Sequence, residues 1–103
     1  MRLELSRFVE SDLEAIADFI AEESPERAVL FIRRIWRATL KIGEQPFLYQ
    51  LRSEIGEGAR LAVVGRYLVL FRVVPDAVRI ERIVYGGRDL PHLFQGSQAA
   101  PSE

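Results

Sequence analysis

Cysteine is absent from this chain and histidine occurs once, at His92. The first absence excludes a disulfide framework and thiol chemistry, and the two together exclude a zinc site built from histidine and cysteine. No apolar run approaches the roughly 20 residues that a membrane span requires, and the N-terminus has no signal-peptide pattern, so no membrane association is expected and the cytoplasm is the expected compartment. Excess charge is missing as well: the formal net charge is −1, which argues against a free-standing DNA binder.

That small net charge hides a segregation. Residues 1–26 carry eight acids against Arg2 and Arg7, a balance of −6, whereas residues 27–88 carry twelve bases against five acids, a balance of +7. One basic face is therefore expected, suited to an acidic partner or a nucleic-acid backbone. At 103 residues the chain is one domain, and its 49% apolar content is more than so short a chain can bury. Some of the surplus is expected to meet a partner.

The most informative stretch is Arg60 to Asp89, RLAVVGRYLVLFRVVPDAVRIERIVYGGRD. Three runs rich in Val, Ile, Leu, Tyr and Phe are separated by Gly65-Arg66 and Pro75-Asp76-Ala77 and closed by Gly86-Gly87, which predicts three short strands joined as an antiparallel meander. The middle run, Tyr67 to Val74, is apolar at nearly every position, as a strand covered on both faces would be. Only Arg72 interrupts it. Upstream, RLELSRF alternates as a half-buried first strand does, its place in the sheet left open. Ser11-Asp12-Leu13-Glu14 has capping-box spacing, and Leu13, Ile16, Ala17 and Ile20 predict a helix over 12–23. Ser24-Pro25-Glu26 starts a second helix, to about Ile42, where Gly43 reads as its stop. Its core stripe is Ala28, Phe31, Ile32, Ile35 and Trp36, with Arg33, Arg37 and Lys41 recurring on another face. The two helices form an αα-hairpin whose apolar side covers the sheet.

Between Gly43 and Gly58 the pattern breaks into a long connection to which Pro46-Phe47-Leu48-Tyr49 brings apolar bulk, so part of the segment is expected to pack under the helices. It runs from helix to strand, which excludes a phosphate-cradling glycine loop. Residues 90–94 read as a short helical turn or an extended piece sealing the sheet edge, and His92 reads as a surface residue. A single domain is thus expected over 1–94, with a polar, disordered tail over 95–103.

Three segments carry a family resemblance: GRYLVLFRV at 65–73, RIVYGGRDL at 82–90 and DLEAIADFIAEESPERA at 12–28. In this order they resemble the RelE/ParE superfamily of bacterial toxins, across about residues 1 to 94. The resemblance implies an α+β fold in which an N-terminal strand, an αα-hairpin and a three-stranded antiparallel meander make one sheet covered by the helices. It leaves two activities to choose between. RelE-type members are ribosome-dependent mRNA endonucleases, whose chemistry needs cations at the scissile phosphate, a base and an acid. Arg88 matches their arginine after the last strand, but Leu68 stands at their central-strand arginine and Phe94 at their C-terminal tyrosine, and the only lysine is Lys41. An endonuclease here would have to use Arg60, Arg72, Arg88 and Tyr85.

The chain looks more like ParE, which implies a non-enzymatic inhibitor of DNA gyrase, without cofactor or metal. The implied partner is a ParD-like antitoxin of ribbon-helix-helix type, with operator DNA reached only through that complex. Arg88, Asp89, Phe94 and Tyr85 are the implied gyrase-inhibition residues. Ile16, Ile20, Phe31, Ile35, Arg33, Arg37, Arg60 and Arg72 are the candidate antitoxin contacts. The departures from the ParE pattern are Tyr85 at the common histidine and Gly87 where a basic residue often stands.

Overall fold

A computed structural model of the protein describes residues 1–98. Strand β1 (Arg2–Leu5) leads into helices α1 (Val9–Ala21) and α2 (Pro25–Glu44) and a 3₁₀ turn at Pro46–Leu48; β2 (Arg60–Val64), β3 (Tyr67–Val74), β4 (Ala77–Tyr85) and α3 (Leu90–Gln98) complete the order. The strands make one sheet in the order β1-β4-β3-β2. This is the expected α+β arrangement, and it settles the place of the first strand: β1 lies parallel to β4 at one edge, with Glu4 opposite Arg79.

Turn chemistry sets the meander. The β2–β3 hairpin closes through Gly65-Arg66, with Val64 opposite Tyr67 and Gly65 at a φ of 60°, which glycine adopts without steric cost. In the β3–β4 turn Pro75 is followed by Asp76 at a φ of 67°, a conformation that a short polar side chain tolerates.

Why β3 is apolar throughout becomes clear from the two cores. Val69 and Phe71 face the helix hairpin with Val78, Ile80, Ile83, Ile35 and Ile42, while Leu70 faces a second cluster with Val84, Ile55, Ala59 and Phe94. The sheet is thus covered twice, by α1 and α2 on one face and by α3 and the 55–59 segment on the other. In β4 the alternation changes parity, because Leu70 pairs with Arg82 but Phe71 pairs with Ile80, leaving Glu81 as the extra residue of a bulge. That shift lets Ile80 and Ile83 both reach the hairpin core.

Several sequence expectations are corrected here. Helix α1 starts at Val9, and Ser11 gives its hydroxyl proton to the Phe8 carbonyl at 3.1 Å, so the capping box is not used. Asp12 looks to the sheet instead. It accepts from both Nε and Nη2 of Arg82 at 2.8 Å and from the Ile83 N–H at 3.0 Å. Ser24 does cap α2, accepting from the Arg27 N–H at 3.2 Å, but Gly43 lies inside that helix, where its neighbour is the Leu3 side chain. Phe47 and Leu48 are exposed rather than packed under the helices; only Pro46 is buried and Tyr49 half-buried, its ring edge-on to Phe71. The tail expected to be disordered is helical over 95–98, and Ser97 is buried. Residues 99–103 lie outside the described residues. Among the described residues no helix is long and apolar enough to cross a membrane.

Two substitutions test this architecture. The Asp12 and Arg82 side chains retain 9% and 16% exposure, so Asp12→Ala strands a guanidinium and a backbone N–H in a mostly dry site and should cost about 3 kcal/mol in urea unfolding. A loss below about 1 kcal/mol would mark the pair as an ordinary surface bridge. At Gly56 an added Cβ would come within 2.5 Å of the Phe94 ring. Gly56→Ala should therefore destabilise by about 1–3 kcal/mol, and a double-mutant cycle with Phe94→Leu should show the two changes strongly coupled.

Candidate functional site

Strand β4 leaves the sheet through Tyr85-Gly86-Gly87-Arg88-Asp89 before α3 begins. The junction is fastened at both ends. Gly86 donates its N–H to the Arg66 carbonyl at 3.0 Å, tying it to the β2–β3 hairpin, and Gly87 makes the turn at a φ of 92°. Asp89 accepts from the His92 N–H at 3.3 Å as the cap of α3. Between these anchors Tyr85 is 46% exposed and Arg88 is exposed, with no ion-pair partner among the described residues.

Tyr85 and Arg88 line an open cleft of about 340 Å³ with Tyr67, Arg82, Asp12 and Ile16. Three rings run along it and beyond: Tyr67 lies 5.5 Å from Tyr85, edge-on, and 5.5 Å from Phe31, tilted. Burial, and then the neighbouring Tyr85, push the Tyr67 phenol above the ordinary tyrosine range, so it stays neutral at physiological pH. Arg82 is held firmly cationic, first by its hydrogen bonds to Asp12, and its guanidinium stacks 4.9 Å from the Phe8 ring. The cleft floor is therefore charge-balanced, while Arg88 at its rim is not.

The other expected site residues divide. Phe94 is fully buried against Gly56, where its ring packs α3 onto the sheet. Ile16 and Ile35 are likewise core residues, and Ile20 and Phe31 are half-buried against that core. Arg33 and Arg37 are exposed as expected. Arg60 is occupied by the Tyr49 carbonyl and the Phe47 ring, 5.1 Å away. Arg72 is committed to Glu81 at 2.6 Å. Arg60 and Arg72 also sit far from Tyr85 and Arg88: Tyr67 is opposite Tyr85, whereas Arg72 is about 17 Å further along β3 at the rise of a strand. The four residues that an endonuclease would have needed are not brought together.

Two features escaped the sequence reading. The exposed apolar residues of the hairpin are Phe19, Val29, Leu30, Trp36 and Leu40, which lie off the core stripe or, as Trp36 does, at its edge. Phe19 beside Ile20 and the Val29-Leu30 pair beside Ala28 were the available signals, since one stripe cannot bury adjacent residues equally. The second is Glu81, fully buried, which accepts from Arg72, from Arg79 at 3.4 Å and from the Ser97 hydroxyl at 2.6 Å, while its backbone carbonyl accepts from Ser6 at 2.6 Å. One acid among arginines and aliphatics in a strand was its only mark.

This fold and this junction have relatives. The sequence profile described as "ParE toxin of type II toxin-antitoxin system, parDE" matches residues 3–90. The chain belongs to the ParE toxin family. Among solved structures it is similar to one titled "Chromosomal ParDE TA system from P. aeruginosa", with a TM-score of 0.73 and 24% identity over 82% of this chain and 95% of that one. At that identity the likeness is one of fold. No curated protein sequence matches. The family match ends where α3 begins, so Phe94 and Ser97 lie beyond the segment that defines the family.

The Tyr67 environment makes a titration prediction. Its folded pKa is raised above the unfolded value near 10, so the stability it contributes is complete below about pH 10 and is lost as pH rises through the folded value. Ultraviolet titration should show Tyr67 ionising above the ordinary tyrosine range, and Tyr85→Phe should bring it earlier. Ionisation of Tyr67 within the ordinary range would contradict the described burial.

Proposed function

We propose that this ParE-family chain is a binding-type toxin that inhibits DNA gyrase through the junction around Tyr85, Arg88 and Asp89, and that a ParD-like antitoxin of ribbon-helix-helix type neutralises it. The observation that carries this reading is the state of Arg88. It is a free cation on a turn fastened on both sides, beside a half-exposed tyrosine, at the C-terminal end of the family-matched segment. A rigidly presented arginine–aromatic pair is the usual composition of an interface hot spot. Asp89 acts in this scheme by capping α3 and holding the turn, and Phe94 by anchoring that helix.

The antitoxin reading is supported by a different surface. Phe19, Val29, Leu30, Trp36 and Leu40 expose apolar area on the helix hairpin, interspersed with Arg33, Arg37 and Lys41. An amphipathic acidic tail that orders on binding would cover such a surface, its apolar side chains on those residues and its carboxylates on the arginines. Operator DNA is then reached through the antitoxin, and the toxin works in the cytoplasm beside its target. The dispersal of Arg60, Arg72, Arg88 and Tyr85 supports a binding function over an RNase function.

Induction of the chain without antitoxin should arrest growth with disturbed plasmid supercoiling and intact mRNA. Arg88→Ala should raise the dose required about tenfold, as loss of an interface contact of about 1.4 kcal/mol does, while leaving antitoxin binding unchanged. Full toxicity in that variant would move the site elsewhere, and cut transcripts would replace the proposed target.

A further inference from the structure

Three arginines without an acidic partner converge on one end of the sheet. Arg34 of α2 places its Nη1 3.8 Å from the position a Cβ on Gly65 would take, Arg66 follows in the same turn, and Arg88 follows the glycine pair whose first N–H is bonded to the Arg66 carbonyl. All three are exposed and have no ion pair among the described residues. The aromatic row Phe31, Tyr67 and Tyr85 runs between them, and Arg34 lies 5.8 Å from the Phe31 centroid. Of the nearby acids, Asp12 binds Arg82, Asp89 caps α3, and Glu22 and Glu23 line a neighbouring cleft with Arg27 that shares only Phe31 with the aromatic row.

We propose that this end of the sheet binds single-stranded nucleic acid, with a base stacked on Tyr85 and phosphates held by Arg34, Arg66 and Arg88. The chemistry follows from the residue types. Single strands are held by cations along the backbone together with aromatic faces that accept any base, and Tyr85 has an open face backed edge-on by Tyr67. A duplex, whose bases are stacked internally, offers Tyr85 nothing to stack on. The near-zero net charge is no obstacle, because all three cations come from the +7 segment of residues 27–88. The inference goes beyond the proposed gyrase inhibition and does not rest on it, since it concerns the purified chain and a bare oligonucleotide.

The test is fluorescence anisotropy of labelled oligothymidylate with the purified chain across a salt series. Three phosphate contacts predict a slope of log K against log salt of about −2, and Arg66→Ala, on an exposed turn, should make it shallower by about 0.7. Tyr85→Ala should weaken binding about tenfold while Tyr85→Phe, which keeps the ring, should not. No binding at low salt would overturn the inference. So would binding that Arg66→Ala and Tyr85→Ala leave intact and Arg37→Ala weakens, which would assign the contact to the outer face of α2. Displacement by polyglutamate with no effect of Tyr85→Ala would reassign the patch to an acidic protein. None of these readouts involves gyrase or growth, so this inference and the proposed function fail separately.

Discussion

A strand with large apolar side chains on both faces has to be covered twice, and the architecture of this protein follows from that requirement at β3. The helix hairpin satisfies one face with Val69 and Phe71 beneath it; α3 and the 55–59 segment satisfy the other through Leu70, Ile55 and Phe94. Burial of this kind contributes roughly 1.5–3 kcal/mol for each large side chain, which an exposed ion pair does not approach. The polar links add orientation to that burial. The Asp12 pair with Arg82 fixes α1 over the last strand, and Glu81 in its bulge ties together β1, β3 and α3 through Ser6, Arg72 and Ser97.

That arrangement has a functional consequence at the end of β4. The residues that hold the strand are just upstream of Tyr85 and Arg88, and those that seat α3 are just downstream, so the junction is presented on a stiff support. Two surfaces remain unsatisfied by the fold. One is apolar and basic, along the outer side of the helix hairpin; the other is aromatic and basic, at the hairpin-turn end of the sheet.

Much of the fold was legible in the chain. The punctuation at Gly65-Arg66 and Pro75-Asp76 gives the meander, and the unbroken apolar run from Tyr67 to Val74 announces a strand covered twice. The second cover is legible only in part, as a helical turn over 90–94, because LPHLFQGS has weak helical periodicity and its helix is held by one ring, Phe94, and one hydroxyl, Ser97. Asp12 was misread for a related reason: a local cap and a tertiary ion pair use the same residue, and only the three-dimensional position of Arg82 decides between them. Site residues were less legible than the fold. Tyr85 and Arg88 are exposed and line one cleft, but Arg72 is consumed by Glu81, Phe94 by the core and Asp89 by a helix cap, since a sequence does not show which polar groups the fold itself requires.

The proposed binding of gyrase through the exposed Arg88 junction can be tested in isolation. The most direct measurement is a supercoiling assay with purified gyrase, relaxed plasmid and increasing amounts of the chain, run with the wild type and with Arg88→Ala. Inhibition by the wild type is expected, weaker in the variant and abolished when a ParD-like antitoxin is added. Undisturbed supercoiling by a folded, antitoxin-binding wild-type chain would contradict it.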